Sequence, residues 1–160
     1  MAKGEKSKDS PREPIVCRNR RARHQYEIID TIEAGIMLVG SEVKSLRSGH
    51  ASIEEAYARI ENGEVWLIDC DIPELAQASR FNHKPKRPRK LLLHRREVEK
   101  FASEAKQRGC TLVPLKLYFR RGFARVEIAI ARGRKLHDKR EAMKKADAQK
   151  EMKRATARRR

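Results

Sequence analysis

The chain has 160 residues, 38% of them charged and 5% aromatic, with a formal net charge of +17. That length allows one domain plus tails. No apolar run is long enough to span a membrane, and so large a positive charge points to polyanionic partners.

The charge is unevenly spread. Residues 1–23 hold 8 Lys/Arg and 3 Asp/Glu, residues 132–160 hold 13 and 4, and the middle, 24–131, holds 18 and 15. The middle has an ordinary balance, and both ends are basic arms. A membrane-surface helix sets large apolar groups opposite its basic ones. The C-terminal arm offers Met143, Met152 and alanines, with no Trp, Phe or Leu after Leu136, so nucleic acid is the better fit. Cys17, Cys70 and Cys110 show neither a C-x-x-C nor a close His/Cys pair. They are expected to be reduced, inert thiols in a cytoplasmic protein, with no metal or cofactor. MAKGEKSKDS at the start has no apolar signal core.

In chain order, 1–18 is polar, contains Pro11 and Pro14, and is expected to be a disordered basic arm. Tyr26, Ile28 and 30–32 predict one strand. A second follows over 36–39, after a turn at Ala34 and Gly35. SEVKSLRSG (41–49) predicts a short helix with Ser41 as N-cap, Gly49 as its close, and Val43 and Leu46 on one face. In the next stretch Ala56, Ala58 and Ile60 alternate with Tyr57, Arg59 and Glu61. Asn62 and Gly63 supply the positive φ angles of a type I′ turn, and 64–69 returns.

Residues 70–90 form a long loop containing the basic FNHKPKRPRK, a length uncommon unless functional or disordered. LLLHRREVEKFASEAKQRG (91–109) predicts a helix with Val98, Phe101, Ala102 and Ala105 on one face, ended by Gly109. TLVPLKLYFR and FARVEIAIA make a final pair about Arg121 and Gly122. In it Leu112, Pro114, Lys116 and Tyr118 alternate with Val113, Leu115, Leu117 and Phe119, and Val126, Ile128 and Ile130 share one face of the return. From Lys135 the chain cannot bury enough apolar surface to fold alone. It has no Gly or Pro after Gly133 and is rich in helix formers, so it is expected to be disordered when free and helical on an anionic surface.

The elements describe a mainly β fold with short helices: an OB-like antiparallel barrel of about six strands with two or three helices, an α+β sandwich being the other arrangement. The expected domains are a disordered arm over 1–18, an OB-like RNA-binding barrel over 19–132 and a basic tail over 133–160.

No glycine loop of the Walker type, G-x-S-x-G or H-E-x-x-H is present. The five histidines, at 24, 50, 83, 94 and 137, are scattered among cations, which suits phosphate contact better than general-base work. His137 and Asp138 point oppositely on a strand and lie about 100° apart on a helix, so they form no dyad. The chain is expected not to be an enzyme.

Three clusters favour binding: Arg20, Arg21, Arg23 and His24 with Tyr26 after them; KPKRPRK (84–90); and Lys116, Tyr118, Arg120, Arg121 and Arg125. Arginine forks grip phosphates, and tyrosines stack on splayed bases. Any one cluster alone is equally well a solvated surface. Together with two basic arms they predict polyanion binding. The barrel class and the lack of a helix-turn-helix favour RNA. Glu42 opens the short helix, where its charge suits the dipole. Glu33, at the expected turn, has the chemistry to accept from a base edge or to orient an arginine. A structural ribosomal or ribosome-assembly protein binding rRNA is the alternative, since it too would combine a small barrel with a basic tail.

N-x-R-A-R-H-x-Y (19–26), E-A-G-I-x-L-x-G-x-E-V-K-S-L-R-x-G (33–49), R-K-L-L-L (89–93) and G-R-K-L-H-D-K-R (133–140) occur together in this order. In these motifs the chain resembles the SsrA-binding protein, or small protein B, family from about Asn19 onward. The resemblance implies an OB-like barrel that binds the tRNA-like domain of transfer-messenger RNA (tmRNA) and takes part in trans-translation, the rescue of stalled ribosomes with tagging of the peptide. Alanyl-tRNA synthetase and elongation factor Tu would act indirectly, through the RNA. The body would stand in for a missing anticodon arm, and the tail would lie as a helix in the empty mRNA channel beside small-subunit rRNA. It implies an RNA-binding face with Glu33, Leu92 and Arg125, and neighbouring motif residues Asn19, Arg21, Arg23, His24, Tyr26, Glu42, Lys44 and Lys90. Gly133, Lys135, His137, Asp138, Lys139 and Arg140 would engage the decoding centre, with His137 stacking on a ribosomal base.

Overall fold

The computed structural model describes residues 14–77, 80, 82–106 and 109–157, the side chains of 136–139 excepted. In chain order the elements are β1 (Ile15–Arg18), α1 (Ala22–Gln25), β2 (Tyr26–Ile36), α2 (Gly40–Arg47), β3 (Tyr57–Glu61), β4 (Glu64–Ile68), β5 (Arg89–Leu92), α3 (Arg95–Ala105), β6 (Cys110–Arg120), β7 (Phe123–Gly133) and α4 (Leu136–Ala157).

The sheet runs β1-β6-β3-β4-β5-β2-β7, and β7 also pairs with β6. Six antiparallel strands thus form a nearly closed ring, with β1 attached to β6 as a seventh. The weakest seam joins β3 to β6 through the single pair Ala58 and Leu112. α3 packs on β6 and β7 and buries Val98 and Phe101. Inside the ring, Val65, Leu67, Leu117, Val126, Ile128 and Ile130 belong to one core. On the opposite face a smaller core joins Ala22, Val113, Leu115, Ala129 and Ala131, with Tyr26 and Ile28 packed against it.

Two bulges explain how one strand serves both cores. β2 shifts register between Ile28 and Asp30, and β6 does so between Pro114 and Lys116. An extra residue moves every later side chain to the other face. Val113 and Leu115 therefore face the small core while Leu117 faces the large one, so the unbroken alternation expected across 112–119 is split. Proline cannot donate to the ladder, and a bulge is where a strand tolerates it.

The expected hairpins are present. Asn62 and Gly63 have φ 50° and 73°, and Arg121 and Gly122 have φ 51° and 80°, the double left-handed pattern of a type I′ turn. Other expectations are corrected. Residues 26–36 form one strand, not two, and Ala34 and Gly35 lie within it. The N-cap of α2 is Val39, and Ser41 instead hydrogen-bonds His83 at 2.9 Å. Arg89–Leu92 is a strand between β2 and β4, not the start of the helix, and α3 begins at Arg95 after the N-cap His94. The arm expected over 1–18 ends in a strand, Ile15–Arg18, paired with β6; residues 1–13 lie outside the described residues. The tail, expected to be disordered when free, is helical over Leu136–Ala157.

Between β4 and β5 the long loop is tied down by side chains. Asn82 brackets the backbone of Leu75 with bonds of 3.0 and 2.8 Å, and His83 Nε2 lies 2.8 Å from the Ile72 carbonyl.

Candidate nucleic-acid interface

The face of β2, β7 and β6 turned away from the large core carries the polar chemistry. Past the bulges its residues are Glu33 and Gly35 on β2, Arg125 and Glu127 on β7, and Lys116, Tyr118 and Arg120 on β6. Gly35, Arg125 and Tyr118 stand in one cross-strand row, and Glu33, Glu127 and Lys116 in the next.

Glu33 is the centre of this face. It accepts a short hydrogen bond from the Tyr118 hydroxyl and two of 3.1 Å from Arg120. Arg125 Nε stands 3.9 Å away. Burial pushes the Glu33 carboxyl up, but the bonds from Tyr118 and Arg120 and the charges of Arg120 and Arg125 outweigh it, so its pKa lies below the ordinary value. Glu33 therefore orients an arginine, Arg120, which is one of the two roles its chemistry allows. The side chains of Arg120 and Arg125 remain 48% and 39% exposed. Lys116 pairs with Glu127 at 2.7 Å and lies over the Tyr118 ring.

Leu92 joins this face from β5. It is opposite Gly35, which is itself opposite Arg125, and it is 49% exposed. A Cβ on Gly35 would stand 3.3 Å from Leu92 Cβ, so the glycine is what lets Leu92 close over the strand. Glu33, Leu92 and Arg125, drawn from three distant stretches, are thus brought together.

Other residues expected at the interface have different roles. KPKRPRK is not an open phosphate patch. Glu42 is fully buried and receives Arg87 Nε at 2.7 Å, Arg87 Nη2 at 2.6 Å and Arg89 Nε at 2.9 Å, with the Val39 N–H at 2.9 Å. Arg89, also fully buried, spends its remaining donors on the carbonyls of Cys70, Arg87 and Pro85. Burial pushes the Glu42 carboxyl up, yet these donors and the two guanidinium charges bring its pKa below the usual value. Lys90 pairs with Glu64 at 2.5 Å. Lys84 and Lys86 keep exposed charges, and Lys44 is exposed on α2.

Asn19 is buried as well. Its side-chain oxygen accepts the Ala22 N–H at 3.0 Å and so starts α1. Arg20, Arg21, Arg23 and His24 are all exposed around that turn; Arg21 pairs loosely with Glu54 at 3.7 Å.

Tyr26 is opposite Gly133, and the Arg134 N–H donates to the Gln25 carbonyl at 3.0 Å. The first basic cluster and the root of the tail, with exposed Gly133, Lys135 and Arg140, are therefore neighbours. The expected roles of His137, Asp138 and Lys139 fall on side chains outside the described residues.

Sequence reasoning missed Gly35 as a packing residue. An isolated glycine inside an alternating strand was the available signal. No three His, Cys, Asp or Glu side chains are grouped to hold a metal among the described residues, and no described helix is long and apolar enough to cross a membrane.

An antiparallel ring whose outer face interleaves arginine, lysine and tyrosine defines a nucleic-acid-binding β-ring protein. Comparison with known proteins narrows the class. The family described as SmpB protein matches residues 16–158. The chain is 58% identical over 143 residues to the SsrA-binding protein of Bartonella henselae, covering 89% of this chain and 90% of that one. It is 58% identical over 134 residues to that of Nitrobacter winogradskyi, with 83% and 85% covered. A solved structure presented as "tmRNA-SmpB: a journey to the center of the bacterial ribosome" superposes with TM-score 0.67 at 47% identity, over 81% of this chain and 94% of that one. The chain belongs to the SmpB family.

Proposed function

We propose that this chain binds tmRNA and serves trans-translation, bringing the tRNA-like domain of that RNA to stalled bacterial ribosomes. The observation that carries the reading is the family match over 16–158, in a chain whose basic surfaces lie at two separate ends of β2. One end presents Glu33, Leu92 and Arg125. The other presents Arg21, Arg23, His24 and Tyr26 beside the exit of the tail. From Tyr26 to Gly35 the strand spans roughly 30 Å, enough to keep two RNA contacts apart.

In this reading 19–132 is an OB-like RNA-binding barrel. Asn19 and Glu42 act from beneath its surface, while Lys44 and Lys90 add charge at its edge. The tail over 133–160 is a separate unit. Gly133, Lys135, His137, Asp138, Lys139 and Arg140 engage the decoding centre, and α4, about 33 Å long, probes the mRNA channel and becomes rigid there. Elongation factor Tu and alanyl-tRNA synthetase meet the protein only through the RNA, in the cytoplasm.

Affinity purification of the full-length chain from bacterial cells, with sequencing of co-purified RNA, tests this. tmRNA should dominate over ribosomal RNA. Ribosomal RNA at constant stoichiometry, with no tmRNA enrichment, would instead identify a structural ribosomal protein.

A further inference from the structure

The tip of the β6–β7 hairpin carries an aromatic residue that neither core uses. Phe123 is 71% exposed. It is also firmly placed. It pairs with Arg120 across a two-residue loop, and the loop's φ angles of 51° and 80° fix a type I′ turn. Ala124 packs on the large core and Val126 is buried, so alternation sets Phe123 on the same face as Arg125. Arg120 stands across from it, and Arg121 lies in the turn.

We propose that Phe123 is a stacking platform for an unpaired base of the bound RNA, with the guanidinium groups of Arg120, Arg121 and Arg125 meeting the phosphates on either side of that base. The surroundings decide the partner. A protein-docking site centred on phenylalanine would be ringed by apolar side chains, with charge kept to the rim. Here the position across the ladder, the turn and the next outward position on the strand all carry arginine, a combination that suits a splayed nucleotide, whose π-face and phosphate are both satisfied. Glu33 hydrogen-bonds Arg120 and lies 3.9 Å from Arg125 Nε.

The proposal rests on reading this face as the RNA-binding one, and the test separates the two. Full-length wild type, Phe123→Ala, Phe123→Leu, Phe123→Trp and Arg125→Ala are titrated with tmRNA at several salt concentrations. Phe123 lies outside both cores, so its variants should fold normally. Phe123→Ala should weaken binding roughly tenfold, within the range measured for base–aromatic stacking. Phe123→Leu should be similarly weak, because it keeps apolar bulk without a π-face, and Phe123→Trp should stay within about twofold of wild type. The salt slope should not change in any Phe123 variant, since no charge is lost.

Wild-type affinity for Phe123→Ala, with Arg125→Ala weakened, overturns the stacking platform alone. Wild-type affinity for both overturns the face. Wild-type affinity for Phe123→Leu replaces stacking with simple apolar contact. Self-association of the wild type that Phe123→Ala abolishes, seen by sedimentation, would assign the residue to a protein contact instead.

Discussion

Glu42 shows how far a residue's role can lie from its appearance in sequence. It opens a helix and stands near basic motifs, yet it is fully buried beneath Arg87 and joined to the equally buried Arg89. Its partners are 45 and 47 residues away, and no local pattern announces them. A cluster of cations in sequence shows charge but not the carboxylate that consumes it, which is why KPKRPRK resembles a phosphate patch. With the Arg89 guanidinium fully buried against it, removing the carboxylate charge is costly. Glu42→Gln is expected to destabilise the protein by about 3–5 kcal/mol, read by urea unfolding. The pKa of Glu42 is depressed in the folded state, so its stabilisation is present above the ordinary carboxylate range and fades as pH falls through the folded value. The gap between wild type and variant should therefore narrow in acid. A loss under about 1 kcal/mol at neutral pH would mean that the network is not what holds the loop to α2.

At the scale of elements, local signals were legible and distant ones were not. Asn62 with Gly63, and Arg121 with Gly122, state their turns in two residues, and both hairpins form as expected. β5 was not legible. RKLLL has no alternation, a short apolar run suits either strand or helix, and its partners β2 and β4 lie far along the chain. The sequence of β2 reads as two strands because Ala34 and Gly35 look like a turn, whereas Gly35 serves the close approach of Leu92. Bulges hid the third feature, the change of face along β6. Of the site, the resemblance named Glu33, Leu92 and Arg125, but only the register brings them side by side.

Gly35→Ala makes this pairing testable. The new methyl would stand 3.3 Å from Leu92 Cβ and 3.5 Å from its Cδ1, forcing Leu92 to move. A stability loss of about 1–2 kcal/mol is expected from overpacking, with tmRNA binding weakened as much as in Leu92→Ala. Unchanged RNA affinity in a folded Gly35→Ala protein would show that the position of Leu92 does not matter to binding.

For the whole molecule, the central feature is separation. Among the described side chains, both cores of the ring are built from residues before the tail. α4 is exposed along almost its whole length, so its helicity draws on Ala, Lys, Arg, Glu and Met more than on packing. The tail's exit is nevertheless fixed, by the Arg134 to Gln25 bond and by Tyr26 opposite Gly133. A rigid body that aims a cationic helix suits an adaptor that meets two RNA surfaces in sequence. Deleting residues 134–160 tests this most directly, with tmRNA affinity and peptide tagging on stalled ribosomes measured for the same preparation. The truncated chain should bind isolated tmRNA within about twofold of the full-length affinity at moderate salt and should fail in tagging. Loss of binding to isolated tmRNA, or tagging at the full-length rate, would contradict the division of labour between ring and tail.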